Sequence, residues 1–259
     1  MPDIAKRLCR ARLEGNTVAL TLDSIGTALE EAYALQERVL ICLGGPSDSW
    51  KVGSTSAEAQ AALGTTEPGA ARVPQRFRFT SPATVPIFAA HDAKLEAEFA
   101  FRLGQELPTR DTDYSAEEVA AAINGIAPSL EIVGSRLAGG LAGSGRTTVT
   151  ADGGANIALV TGAFIDDWRQ FDLPAHKLTV TLNGTVCAEG EGRRALGNPF
   201  NVMVWLANRE RKRSGLRAGE VATTGTCSGL IDLKAGDAVF ADYGALGSVE
   251  AVMTDAAKS

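Results

Sequence analysis

The strongest hydrophobic pattern in the 259-residue chain lies at Lys94-Leu95-Glu96-Ala97-Glu98-Phe99-Ala100-Phe101. Read with a strand's period of two, Leu95, Ala97, Phe99 and Phe101 share one face, and Glu96 and Glu98 project from the other. Upstream, residues 3–14 carry Ile4, Leu8 and Leu13 at helical spacing with Gly15 as a stop, and a second helix is predicted from about Ile25 to Arg38. The apolar run Val39 to Leu43 reads as a helix end or a buried strand. Trp50 to Ser56 starts as a strand and leads into a helix over Ala57 to Leu63, with Gly64 beyond it. Thr65 to Ala90, rich in Pro, Thr and Ala, reads as loop with short β pieces at Phe77–Phe79 and Val85–Phe88.

Downstream, Ser115-Ala116-Glu117-Glu118 is a capping box that opens a helix ending at Gly125. Ser129 to Val133 and Ile157 to Val160 read as buried strands. Asn183-Gly184 joins Lys177–Leu182 to Thr185–Glu189 as a hairpin, because that dipeptide accepts the positive φ angles of a tight turn. Asn198-Pro199 opens a helix running to about Arg213, with Gly215 past its end. Short strands then alternate with turns to the C-terminus. The sum is an α/β (α+β) chain: a small helical N-terminal lobe over residues 1–70, then a β-rich sandwich or irregular barrel with peripheral helices over 71–259.

The acids on the Glu96/Glu98 strand change this from a fold to a candidate site. Two neighbouring carboxylates in an apolar segment call for a shared proton, a basic partner or a divalent cation. Glu131, alone between Leu130 and Ile132, has the same need. Together the three form an oxygen-ligand set suited to Mg²⁺ or Mn²⁺. The competing reading is a half-exposed strand whose acids pair with Lys or Arg across the sheet.

Composition narrows the partners. A net charge of -6 and a pI near 5.1 argue against nucleic acid and anionic membrane surfaces and favour a small molecule. The basic cluster Arg209, Arg211, Lys212, Arg213 and Arg217 reads as a solvated helix end. Cys9, Cys42, Cys187 and Cys227 show no metal spacing and read as reduced, mostly buried thiols. With no secretory pattern and no apolar run approaching the ~20 residues that cross a bilayer, the cytoplasm is the expected compartment.

Several motifs in order carry a wider resemblance: Trp50-Lys51-Val52-Gly53-Ser54-Thr55-Ser56, the Glu96/Glu98 strand, Leu130-Glu131-Ile132-Val133-Gly134-Ser135-Arg136, and Gly197-Asn198-Pro199-Phe200-Asn201 to Trp205-Leu206-Ala207-Asn208. Leu216-Arg217-Ala218-Gly219-Glu220, Thr224-Gly225, Lys234-Ala235-Gly236-Asp237 and Asp242-Tyr243-Gly244 continue it. From about Ala32 to Val252 the chain resembles the 2-keto-4-pentenoate hydratase branch of the fumarylacetoacetate hydrolase family. The resemblance implies a fumarylacetoacetase-like pseudo-barrel, a homo-oligomer, and Mg²⁺ or Mn²⁺ on Glu96, Glu98 and Glu131. It also implies an active-site lysine at Lys51 and substrate-facing residues at Lys51, Ser135, Arg136, Thr224 and Gly225. The reaction implied is addition of water to a 2-hydroxy-2,4-dienoate.

The chain departs from that pattern where hydratases carry Asp-Ser-Arg, since Gly134 stands in place of the acid, and where acids usually precede the Glu-Glu strand, since Arg76-Phe77-Arg78-Phe79 stands there. These departures keep two alternatives open: a 2-oxo-acid (4-oxalocrotonate-type) decarboxylase, and a catalytically weakened homologue that binds metal or ligand. The family's hydrolase branch uses a His-Glu pair whose context neither His91 nor His176 has. Gly140 to Thr147 has P-loop spacing, but Arg146 replaces the lysine and the following run looks β-prone. His91 reads as a hydrogen-bonded turn residue.

Overall fold

In the computed structural model, residues 3–20, 25, 28–45, 47–141 and 144–257 are described. The chain begins with α1 (Ile4–Glu14) and α2 (Leu29–Cys42), followed by β1 (Ser49–Gly53), α3 (Ala57–Leu63), β2 (Gly69–Val73), β3 (Arg78–Thr80) and β4 (Ala83–Ile87). Next come β5 (Lys94–Leu103), α4 (Ala116–Ala122), β6 (Ile123–Val133), α5 (Arg146–Ala151), β7 (Asn156–Thr161), β8 (Lys177–Leu182), β9 (Thr185–Glu191) and α6 (Pro199–Glu210). β10 (Val221–Thr223), β11 (Ile231–Asp232), β12 (Ala238–Asp242) and β13 (Ser248–Asp255) complete it.

The strands form two sheets. One runs β2-β1-β10-β5-β6-β7-β3 with β11 added to β5, and the other runs β4-β13-β12-β8-β9. Leu95, Ala97, Phe99 and Phe101 of β5 meet Leu130 and Ile132 of β6, and Val180, Val239, Ala241, Val249 and Met253 of the second sheet, in one apolar cluster. The period-two face of β5 is therefore the inner face of a sandwich. A smaller cluster joins Leu8 and Cys9 of α1 to Ala32, Leu35 and Val39 of α2 and to Ala151 of α5. β1, although N-terminal to residue 70, is a strand of the main sheet, parallel to β10 and antiparallel to β2.

Local signals were obeyed closely. Asp3 caps α1 at the Ala5 N–H and Gly15 ends it in the left-handed conformation. Ser56 caps α3, Ser115 and Glu118 form the capping box of α4, and Asn198 with Pro199 starts α6. Other expectations need correction. The run from Val39 continues α2 to Cys42, and the segment after the P-loop-like loop is a helix, because Thr147 to Ala151 packs against α2 instead of pairing as a strand. The second helix begins at Leu29, and most of Thr21 to Thr27 lies outside the described residues. Cys9 and Cys42 form a disulfide between α1 and α2, leaving Cys187 exposed and Cys227 buried as thiols. Sequence spacing could not show this, since only the packing of α1 on α2 brings the two together. The basic helix end is largely partnered: Arg211 pairs with Asp113, and Arg209 lies over Tyr33.

A carboxylate centre on two central strands

β5 and β6 pair antiparallel with Glu96 opposite Glu131 and Glu98 opposite Ser129. This register places Glu96, Glu98 and Glu131 on the face away from the sandwich core, with one ligand atom from each within 4.8 Å of the others. Glu98 and Glu131 are fully buried. Among the described residues the only salt bridge to these acids comes from the buried Lys51 of β1, so a half-exposed strand with solvated ion pairs does not describe these positions.

Each buried carboxylate has one oxygen satisfied and one not. Gly225 N–H donates to Glu98 Oε2 at 3.0 Å, and Asn156 Nδ2 donates to Glu131 Oε1 at 2.9 Å. Glu98 Oε1 and Glu131 Oε2 have no hydrogen-bond partner. Burial, with Glu131 next and Lys51 opposing, pushes the Glu96 carboxyl up to about 7. Burial, then Glu131 and Glu96, raises Glu98 well above the usual carboxylate range. Two orphaned carboxylate oxygens on buried Glu98 and Glu131, with the half-buried Glu96 beside them, fit a hard divalent cation.

Lys51 comes from β1. Its Nζ donates to Gly154 O at 2.7 Å and lies 3.4 Å from Glu131 Oε1. Burial disfavours the ammonium, but Glu131, Glu96 and Glu98 together offset that and hold its pKa above the ordinary lysine value. A Cβ at Gly154 would stand 3.1 Å from Lys51 Cδ, at a φ of +64°, so the lysine needs glycine there.

The remaining expected residues divide. Gly225 holds Glu98, while the Thr224 hydroxyl is bound to the backbone of Phe99, accepting from its N–H and donating to its carbonyl. Ser135 and Arg136 gather around Asp152: Ser135 Oγ and the Arg136 N–H both donate to Oδ2, at 3.4 and 3.0 Å, and Arg136 Nε donates to Oδ1 at 2.8 Å. Arg136 Nη1 serves the carbonyls of Gly134 and Asn156, and Nη2 that of Asp152. Arg136 is 2% exposed, and its guanidinium organises the loop that carries Asn156. A cavity of about 750 Å³ borders the Gly225 turn, lined by Thr55, Ser56, Arg193, Arg194, Leu196 and Thr226.

Residues 54–254 match the fumarylacetoacetate (FAA) hydrolase C-terminal family. The chain belongs to the fumarylacetoacetate hydrolase family. It is 32% identical over 253 residues to a 2-keto-4-pentenoate hydratase of Paraburkholderia xenovorans (strain LB400), covering 95% of this chain and 92% of that protein. It shares its fold with 4-oxalocrotonate decarboxylase from Pseudomonas putida G7, complexed with magnesium and adipate. There the TM-score is 0.87 at 23% identity over 96% of this chain and 95% of the other. Fumarylpyruvate hydrolase from Pseudomonas aeruginosa, in complex with Mn²⁺ and pyruvate, superposes with a TM-score of 0.60 at 15% identity over 80% and 89%.

Asn156, Gly154 and Asp152 contact the expected site residues, and Arg12 Nη2 donates to Asn156 Oδ1 at 3.0 Å; sequence reasoning passed over all four. Asp152-Gly153-Gly154-Ala155-Asn156 did carry a signal, a polar and glycine-rich run directly before an apolar strand. Arg12 carried none, since an arginine at helical spacing reads as a solvated face. His91 is the hydrogen-bonded turn residue expected, its Nε2 lying 3.2 Å from Ala11 O and 3.1 Å from Asn16 O.

Proposed function

We propose that the chain is a divalent-metal-dependent hydro-lyase that adds water to a 2-hydroxy-2,4-dienoate, giving a 4-hydroxy-2-oxo acid. The observation that carries the reading is the convergence of Glu96, Glu98 and Glu131 beside the Lys51 ammonium, with two carboxylate oxygens unpartnered. A bound Mg²⁺ or Mn²⁺ would supply Lewis-acid stabilisation to the substrate's carboxylate and 2-oxygen, favouring the keto tautomer whose conjugated alkene accepts water.

The chain's own residues do the rest. Lys51, cationic and desolvated, is placed to hold the substrate carboxylate or to move a proton at Nζ. Glu131 and the Gly154 carbonyl fix the direction of that ammonium, and the Gly225 N–H fixes Glu98.

Incubation of the protein with Mn²⁺ and 2-hydroxypenta-2,4-dienoate should bleach the dienol absorbance; no loss at high enzyme concentration sinks the hydratase reading. The shared fold with a decarboxylase sustains a second reading, 2-oxo-acid decarboxylation, which release of CO₂ from a dienoate with a remote carboxylate would reveal. Tight Mn²⁺ binding without either reaction would mark a weakened homologue. The proposal includes a homo-oligomer and the cytoplasm. No helix among the described residues is long and apolar enough to cross a membrane.

A further inference from the structure

Another buried cation near the centre is one the proposed chemistry does not use. Arg12 of α1 is 8% exposed, and no carboxylate among the described residues forms a salt bridge with it. Burial, then the nearby Arg136, push its pKa well below the ordinary arginine value. Its Nε has no partner, and the Phe77 ring lies 4.1 Å from its Cζ. A buried cation without an ion-pair partner is unfavourable unless its hydrogen bonds accomplish something.

Those bonds are directional. Arginine carries donors only, so Nη2, 3.0 Å from Asn156 Oδ1, requires the amide oxygen on its side. The amide nitrogen is thereby turned to Glu131 Oε1, with Asn156 itself fully buried. Glu131 Oε1 is then held between Asn156 Nδ2 and Lys51 Nζ, and Oε2 is left free. We infer that Arg12 is a positioning residue for the carboxylate centre: from the N-terminal helix it sets the Asn156 amide, which fixes the Glu131 carboxylate in the orientation a cation needs.

This rests on the metal reading above. A merely structural Arg12 would fasten α1 through Ile157 O, 3.1 Å from Nη2, and through Phe77, and would be indifferent to the chemistry of residue 156. Asn156→Asp separates the two roles, since it keeps an acceptor for Arg12 and places an acceptor against Glu131. Mn²⁺ affinity by calorimetry and thermal midpoint in EDTA are measured for wild type, Arg12→Lys, Arg12→Met, Asn156→Asp and the Arg12→Met/Asn156→Asp double variant. Both Arg12→Met and Asn156→Asp should bind Mn²⁺ about 10- to 100-fold more weakly. Arg12→Lys should recover part of the affinity, and the double variant should bind no worse than its weaker parent. A folded Arg12→Met that binds within about threefold of wild type overturns the inference, and should Arg12→Met fail to fold, Arg12→Gln takes its place under the same limit. A wild-type protein that binds no Mn²⁺ removes the metal reading together with this one; wild-type binding with unaffected variants removes this one alone.

Discussion

Glu96 and Glu131 are direct register partners across the antiparallel pair β5 and β6, two acids facing each other in the middle of the main sheet. Like charges directly opposite destabilise a sheet, and Glu98 on the same face adds a third carboxylate. Local sequence and global fold conflict here, as they do where a site is built at the expense of stability.

Removing one acid should relieve the conflict and destroy the centre. Glu98→Gln is expected to raise metal-free stability by about 1 kcal/mol, as like-charge repulsion and desolvation are lost. The same change should weaken Mn²⁺ binding at least ~10-fold. Urea denaturation in EDTA and Mn²⁺ calorimetry check the two halves, and unchanged metal affinity would sink the ligand assignment.

The pH dependence follows from the raised carboxyls. Glu96 titrates near 7 in the folded chain and near the ordinary 4.5 when unfolded, so between those values the folded state holds a proton the unfolded state has lost. Metal-free stability should therefore fall as pH rises from about 4.5 to about 7. Metal binding displaces that proton, so Mn²⁺ affinity should climb over the same range and, because the Glu98 carboxyl is raised as well, keep climbing above it. Denaturation in EDTA and Mn²⁺ titrations at pH 5.5, 6.5 and 8 test both signs; a flat affinity would contradict them.

Lys51→Met removes the cation that faces Glu131 and leaves a buried charge uncompensated. The expected cost is about 3–5 kcal/mol without metal, reduced when Mn²⁺ is present. Turnover should drop by about 100-fold or more. Denaturation with and without Mn²⁺, beside the dienol assay, measures these effects, and wild-type turnover would exclude Lys51 from the reaction.

Restoring the acid that hydratases carry before Ser135 should not help. A Cβ at Gly134 would come within 2.5 Å of the His91 carbonyl oxygen and 2.6 Å of Ile157 Cδ1. Gly134→Asp should cost about 1–3 kcal/mol from overpacking and leave turnover no higher than wild type. A gain in activity would show that this backbone can move aside.

Much of the fold was legible in the residues because its signals are local. The Asn183-Gly184 hairpin, the Asn198-Pro199 start of α6, the caps of α1, α3 and α4 and the alternation of β5 each depend on neighbours a few positions apart. Glu96 and Glu98 could be seen to share a face for the same reason, and Glu131 stood out because an acid among aliphatics has to be answered.

What only the tertiary structure decided depends on distant packing. The β5–β6 register turned three acids into one cluster, and the packing of α1 on α2 joined Cys9 to Cys42. The same packing carried Arg12, 144 positions away in sequence, to Asn156 and made a buried donor of a residue whose helix spacing suggested solvent. Likewise Arg136 was joined to Asp152, 16 positions on. Ligand type could be read from the sequence because it is set by side-chain chemistry; ligand orientation could not, because it is set by hydrogen bonds between segments that meet only when the sheet closes.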